Sequence, residues 1–264
     1  MPDALYSARC ARRKDGPALA ESGRARLGRV DGDGDAVRAA GALSDRLQVS
    51  TGRCLLRLVR QGDVPAVLDY RRLPEVAQFL GHPPLDLRRA EDLVAGWVRD
   101  STAVTVVAEL DGRVVGDVRL RFRRSSAMSP ATTEEVDAAL GYAFHPQVQG
   151  QGLATECAGT VLELVLRPPL VRRVTARVFA PAARSARLLD RLGFSRDGID
   201  RSAVLAPDGA EWWDDELWSL LPGEGDVLRD RDEGDVLCDR DVLGDRDVPG
   251  DGDMLHVTPG EHPR

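Results

Sequence analysis

Two β-branched runs, Thr102 to Leu110 (TAVTVVAEL) and Arg113 to Phe122 (RVVGDVRLRF), flank the dipeptide Asp111-Gly112. A two-residue Asp-Gly link favours the type I′ turn, whose twist matches that of paired antiparallel strands. The chain is therefore expected to build a sheet around this hairpin, and the remaining segments are read as elements that extend or cover it.

Composition limits how much of the chain can do so. From Pro222 to Arg264 the sequence cycles through GDVLRDRD, GDVLCDRD and VLGDRDVPGDGD. Such a stretch buries too little apolar surface to offset the entropy of ordering it. Residues 222–264 are expected to be a disordered acidic repeat tail. Thirteen acidic against five basic residues in this tail give −8, so it accounts for the chain's formal charge of −7. The rest is near neutral and gives no case for a nucleic-acid surface, so no nucleic-acid partner is expected. Residues 1–50 lack sustained periodicity and the apolar core of a signal peptide, and are expected to be a disordered extension. No apolar run reaches the roughly 20 residues that span a bilayer, so no membrane partner is expected. Cys10, Cys54, Cys157 and Cys238 show no CxxC spacing, which fits a cytoplasmic setting.

Residues 51–221 are left as one domain. Arg53 to Val59 reads as a strand, Gly62-Asp63 starts a helix through Tyr70, and a further turn lies around Pro74 to Leu80. Asp86 to Arg99 is helical by its Leu87, Leu93, Val94, Trp97 and Val98 spacing. After the hairpin and a loop from Ser125 to Thr133, Asp137 to Phe144 (DAALGYAF) is a strand. A helix with Leu153, Cys157, Val161 and Val165 on one stripe and Glu156 on its wet face runs to Pro168-Pro169. Arg173 to Phe179 is a strand, Ala182 to Leu192 a helix capped by Gly193, and strands from Phe194 and over Glu211 to Leu220 end the domain. The fold class is α/β (α+β): a mixed, mostly antiparallel sheet of six to seven strands flanked by helices.

Between the DAALGYAF strand and the following helix stands Gln147-Val148-Gln149-Gly150-Gln151-Gly152 (QVQGQG). Glycines at a strand-to-helix junction let backbone N–H groups and the positive helix end approach a phosphate. The spacing alone is weak, since Arg29 to Gly34 (RVDGDG) repeats it with carboxylates that would repel phosphate and with no preceding strand. No GK[ST] follows the glycines and no GxGxxG sits in a βαβ unit, which removes the P-loop and the dinucleotide readings. The Asp31 to Asp35 run fails as a calcium loop, with Ala36 and Ala42 at the positions that need Gly and Glu. No metal cluster is visible.

The stretch GYAFHPQVQGQGLATEC (Gly141 to Cys157) resembles the acetyl-CoA motif of the GNAT N-acetyltransferases, in their RimJ/RimL-type branch. Ser185 to Phe194 (SARLLDRLGF) is similar to the family's S-x-x-L-L-x-x-L-G-F helix-to-strand motif. The resemblance covers Arg53 to Leu221 and implies a single GNAT-type domain with acetyl-CoA as the donor and no metal. It implies that two central strands splay, that the backbone at Phe144 grips pantetheine, and that Gln149, Gly150, Gln151, Gly152, Leu153, Ala154 and Thr155 face the pyrophosphate. Ser185 either lies beside the cofactor arm or is an ordinary first-turn residue. The chain departs from many relatives at Ala139, where a carboxylate is common, and at Ala182, where Asn is common.

The implied reaction is attack of a primary amine, from a protein N-terminus or a small molecule, on the thioester. Asp137, on the strand face of Ala139, and Glu109 are the candidate bases; Tyr142 is the candidate acid. Each also reads as an ordinary strand residue. His145, before Pro146, is assigned a conformational role and Cys157 a place in the core. The alternative is an acyl-CoA-binding regulatory module without turnover, which Ala139 and Ala182 favour. A monomer or homodimer is expected.

Overall fold

A computed structural model describes residues 34–125, 135–166 and 170–224. Readings made for the other residues, including the acidic repeats, most of the RVDGDG run and the Pro168-Pro169 stop, lie outside the described residues. The described elements are α1 (Gly34–Ser44), β1 (Val49–Ser50), β2 (Leu55–Leu58), α2 (Val64–Arg71), α3 (Pro74–Ala77), α4 (Leu87–Arg99), β3 (Ala103–Leu110), β4 (Arg113–Arg124), β5 (Val136–Phe144), α5 (Leu153–Leu166), β6 (Arg173–Phe179), α6 (Ala183–Arg191), β7 (Ser195–Leu205) and β8 (Trp212–Leu220).

The hairpin forms as its dipeptide dictates. Leu110 pairs with Arg113, and Asp111 and Gly112 both take positive φ, +50° and +76°. The sheet has eight strands in the order β1-β2-β3-β4-β5-β6-β8-β7, one more than the six to seven expected, because Val49 and Ser50 pair with Leu56 and Leu55. Its neighbours are antiparallel except β5 and β6.

Residues 34–44 differ from the expectation of an unstructured start. They form α1, which buries Ala36, Ala39, Ala40 and Leu43 in the same core as α5. A stripe made mainly of alanines carries little hydrophobic contrast, so periodicity alone did not mark this helix.

Helices cover both faces. Even-numbered β5 residues (Val136, Ala138, Leu140, Phe144) join Leu153, Cys157, Val161, Leu162 and Leu189 in the larger core. The other face packs Val107 and Ala143 against Val67, Tyr70, Val94 and Trp97 of α2 and α4. Asp86 starts α4, its carboxylate accepting from the Arg89 N–H at 2.8 Å. Gly116 must be glycine, since a Cβ there would stand 2.4 Å from the ring of Phe144.

Candidate active site

The geometry that matters is where β5 and β6 part. Their pairing consists of Asp137 with Arg173, Ala138 with Val174 and Ala139 with Thr175. Beyond Ala139 the strands splay, while the other edge of β6 stays paired with β8 from Val174 to Phe179.

The register fixes which backbone groups face the opening. The His145 N–H donates to the Val115 carbonyl, and the same ladder pairs Ala143 with Asp117 and Gly141 with Arg119. In an antiparallel ladder alternate residues point their N–H and C=O to opposite sides. Leu140, Tyr142 and Phe144 therefore turn theirs towards β6, into the splay. An open edge of this kind is a template for an extended ligand.

At the wide end stands the QVQGQG loop. Pro146–Val148 makes one 3-10 turn, begun by His145, whose Nδ1 accepts from the Gln147 N–H at 3.1 Å. This is the conformational role expected for His145. Gly150 and Gly152 then take φ of +76° and +75°, a region open to glycine at little cost. The N–H groups from Gly150 to Thr155 donate to no carbonyl outside α5 among the described residues, while the Glu156 N–H returns to Gly152. These are donors of a helix start arranged around a turn.

Side chains hold this loop from three directions. Gln149 donates from Nε2 to the Phe144 carbonyl at 3.0 Å, and its Oε1 accepts from Arg184 of α6 at 3.3 Å. Gln151 Nε2 donates to the Gln147 carbonyl at 3.0 Å. Arg53 donates to the Gln151 carbonyl at 2.7 Å and pairs with Glu156 at 2.6 Å. Two cations, Arg53 and Arg184, thus flank the loop, and neither was singled out from the sequence.

Glu156 sits half-buried in a cradle rather than on a wet face. It accepts from Thr51 and from the Arg53 N–H at 2.8 Å. Burial works against its charge, but these hydrogen bonds outweigh it and hold its carboxyl below the ordinary range. Only the folded approach of β1–β2 to α5 could have revealed that contact.

Tyr142 lies at the splay, its hydroxyl donating to the Ser185 carbonyl at 3.4 Å. Burial pushes its pKa up to about 12, so it holds its proton at neutral pH. Ser185 sits in the first turn of α6, its N–H bonded to Ala182. Ala182 packs into the core in place of a capping side chain.

The two carboxylates are not brought to this place as free groups. Asp137 is buried, accepting from Ser125 at 2.9 Å and from Arg172 at 2.8 and 3.0 Å, at the closed end of the splay. Glu109 is paired with Arg57 at 2.6 Å, and Arg57 also holds Asp63 at 2.8 Å. Strands β4 and β5 stand between Glu109 and the splay. Both are ion-pair members, which strand periodicity cannot distinguish from free carboxylates.

Cys157 is buried beside Cys54, and burial raises its thiol well above the ordinary range. It is a core residue, as its stripe position implied. Sequence reading also missed a buried cluster under α2, where Asp117 accepts from Tyr70 at 2.5 Å and from Arg71 at 2.7 Å. Among the described residues no His, Cys, Asp and Glu group could hold a metal, and no helix is long and apolar enough to cross a membrane.

Residues 53–195, more than half of the chain, match the family model described as the acetyltransferase (GNAT) domain. An uncharacterized N-acetyltransferase of Bacillus subtilis, YnaD, is 29% identical over 85 residues, which are 32% of this chain and 49% of that protein. The match therefore spans about half the length of that curated relative. Among solved structures, the ribosomal alpha-N-protein acetyltransferase RimL in complex with coenzyme A superposes with a TM-score of 0.56 at 17% identity, covering 66% of this chain and 97% of that one. Spermidine N-acetyltransferase from Vibrio cholerae, in complex with coenzyme A and spermine, gives 0.55 at 16% identity, with 65% and 97% covered. At these identities the likeness is one of fold.

Proposed function

The chain belongs to the acetyltransferase (GNAT) domain family, and from that premise we propose that it transfers an acetyl group from acetyl-CoA to a primary amine. The catalytic unit in this reading is the single domain from α1 to β8. The observation that carries it is the joining of two features: a splayed β5 edge and, at its wide end, a glycine turn with unpartnered N–H groups. Solved relatives of this fold with coenzyme A bound support the choice of donor.

In this reading Gly150 to Thr155 hold the pyrophosphate through backbone N–H groups and the positive end of α5. Arg53 and Arg184 add charge nearby. The Leu140, Tyr142 and Phe144 backbone holds the pantetheine arm, with Ser185 beside it. Acetyl-CoA supplies the activated carbonyl. The amine nitrogen bonds to that carbonyl carbon, and the carbon–sulfur bond breaks. A backbone N–H at the end of β5 stabilises the oxyanion. Tyr142 gives its proton to the leaving thiolate, and the amine releases its own proton to water. Water is assigned that role because Asp137 and Glu109 are both engaged in ion pairs.

The acceptor is a small-molecule amine or a protein N-terminus. The free, buried thiols Cys54 and Cys157 fit a reducing cytoplasm. Calorimetric titration with acetyl-CoA, followed by thiol release over an amine panel, tests the reading. Micromolar binding with amine-dependent thiol release is the expected result, and absence of binding refutes it.

The engaged carboxylates and Ala139 favour a second reading, an acyl-CoA-binding module without turnover. Tight acetyl-CoA binding without release from any amine would select it.

A further inference from the structure

Among the described residues the buried carboxylates Asp63, Asp117 and Asp137 accept hydrogen bonds at both oxygens, whereas one buried carboxylate near the splay accepts at only one. Asp215 of β8 is 3% exposed. Its Oδ2 accepts from Arg177 Nε at 2.6 Å, while Oδ1 is buried and has no hydrogen-bond partner. A buried carboxylate oxygen without a donor is costly, and a donor brought by a bound molecule would remove that cost.

The surroundings select the kind of donor. Asp215 stands directly opposite Phe179 of β6, so the two side chains share a sheet face, and Trp213 lies on that face two residues away. Trp213 contacts Phe179 at 6.2 Å and Phe79, just beyond α3, at 6.0 Å between ring centroids. On the other side Asp215 pairs with Asp200. Arg177 is shared between Asp200 and Asp215, at 2.6 Å from each, and the Trp213 indole N–H donates to Glu211. Three carboxylates and three aromatic rings against one guanidinium favour a cation.

The position relates this corner to the proposed reaction. β8 lies against β6, whose other edge bounds the splay. A group at Asp215 is therefore between one and two strand spacings, roughly 5 to 10 Å, from the opening. That separation is within the reach of a short aliphatic diamine.

We propose that Asp215, with Phe79, Phe179 and Trp213, anchors a cationic group of the acceptor. The acceptors are then aliphatic amines with at least two cationic centres, one held at Asp215 and the other delivered to the splay. This inference rests on the acetyl-transfer reading and names the substrate class of the same site.

The experiment compares 1,4-diaminobutane with 1-aminobutane as acceptors, with acetyl-CoA affinity measured separately by calorimetry. The expected result is a kcat/KM preference of about tenfold or more for the diamine, the scale of one charge-assisted hydrogen bond. Asp215→Asn and, independently, Trp213→Leu should reduce that ratio towards one through KM while acetyl-CoA affinity is kept. Equal use of the two amines by the natural protein, turnover of neither with acetyl-CoA bound, or an undiminished ratio in both variants overturns the anchor and leaves the donor reading standing. Loss of acetyl-CoA binding in the natural protein overturns the donor reading itself.

Discussion

Gln149 reaches back from the loop to the strand that precedes it, its Nε2 donating to the Phe144 carbonyl at 3.0 Å. The Phe144 carbonyl faces the splay, where β6 no longer supplies a partner. A single side chain thus ties the glycine turn to the open strand edge. The two parts of the proposed donor site, turn and edge, are thereby held in one geometry by the chain's own side chains.

The turn is the first place to test. Nothing lies within 4 Å of a Cβ built on Gly150, so a larger residue fits sterically, at a backbone cost of about 1 kcal/mol for its positive φ. Gly150→Asp would set a carboxylate among the free N–H groups. We expect acetyl-CoA affinity to fall by about a hundredfold or more with the fold retained by circular dichroism. Unaltered affinity would refute the loop assignment.

Glu156 links the loop to stability in acid. A carboxyl whose pKa is lower in the folded state stabilises the fold fully above its unfolded value, here near 4.5, and loses that contribution as pH falls through the folded value. Glu156→Gln should therefore cost about 1 to 2 kcal/mol at neutral pH, and the difference from the natural protein should shrink below pH about 4. Thermal melts of both proteins across pH 3 to 7 check this. A constant difference over that range would show that charge at Glu156 plays no part.

How far the sequence reached can be judged on particular residues. Asp111-Gly112 specified its turn locally, and Gly193 at φ +83° with the Phe194 N–H bonded to Leu189 closed α6 as its position implied. The splay was reached only through family resemblance, because it is a failure of pairing between two strands that are distant in the chain, Asp137 lying opposite Arg173. The Arg53–Glu156 and Arg172–Asp137 pairs were not legible for the same reason: a carboxylate's partner is set by tertiary approach, and strand or helix periodicity reports only the face it occupies. α1 was hidden by its alanines.

Asp137 illustrates the consequence for mechanism. Removing a buried carboxylate that accepts from Ser125 and twice from Arg172 leaves those donors without their partner. Asp137→Ala should destabilise the protein by about 1 to 3 kcal/mol, while kcat per folded molecule changes by less than about threefold. Denaturant melts and turnover on the same preparation separate the two effects. A fall in kcat of a hundredfold with stability intact would restore Asp137 as the base.

In the proposed reaction Tyr142 is the acid that protonates the leaving thiolate. Its hydroxyl is half-buried at the splay, bonded only weakly to the Ser185 carbonyl, and burial holds its pKa at about 12. The proton is therefore present from neutral pH to beyond pH 10. The alkaline limb of kcat should show no loss attributable to tyrosine ionisation near pH 10, the ordinary value. Tyr142→Phe removes the proton and keeps the ring in the core, so acetyl-CoA affinity should stay within about threefold while kcat falls by about a hundredfold. Measuring kcat against pH for both proteins makes the assignment exact. An alkaline limb near pH 10 that vanishes in Tyr142→Phe would mean that the hydroxyl is exposed to solvent during turnover. An unchanged kcat would mean that the thiolate takes its proton from water and that Tyr142 serves packing alone.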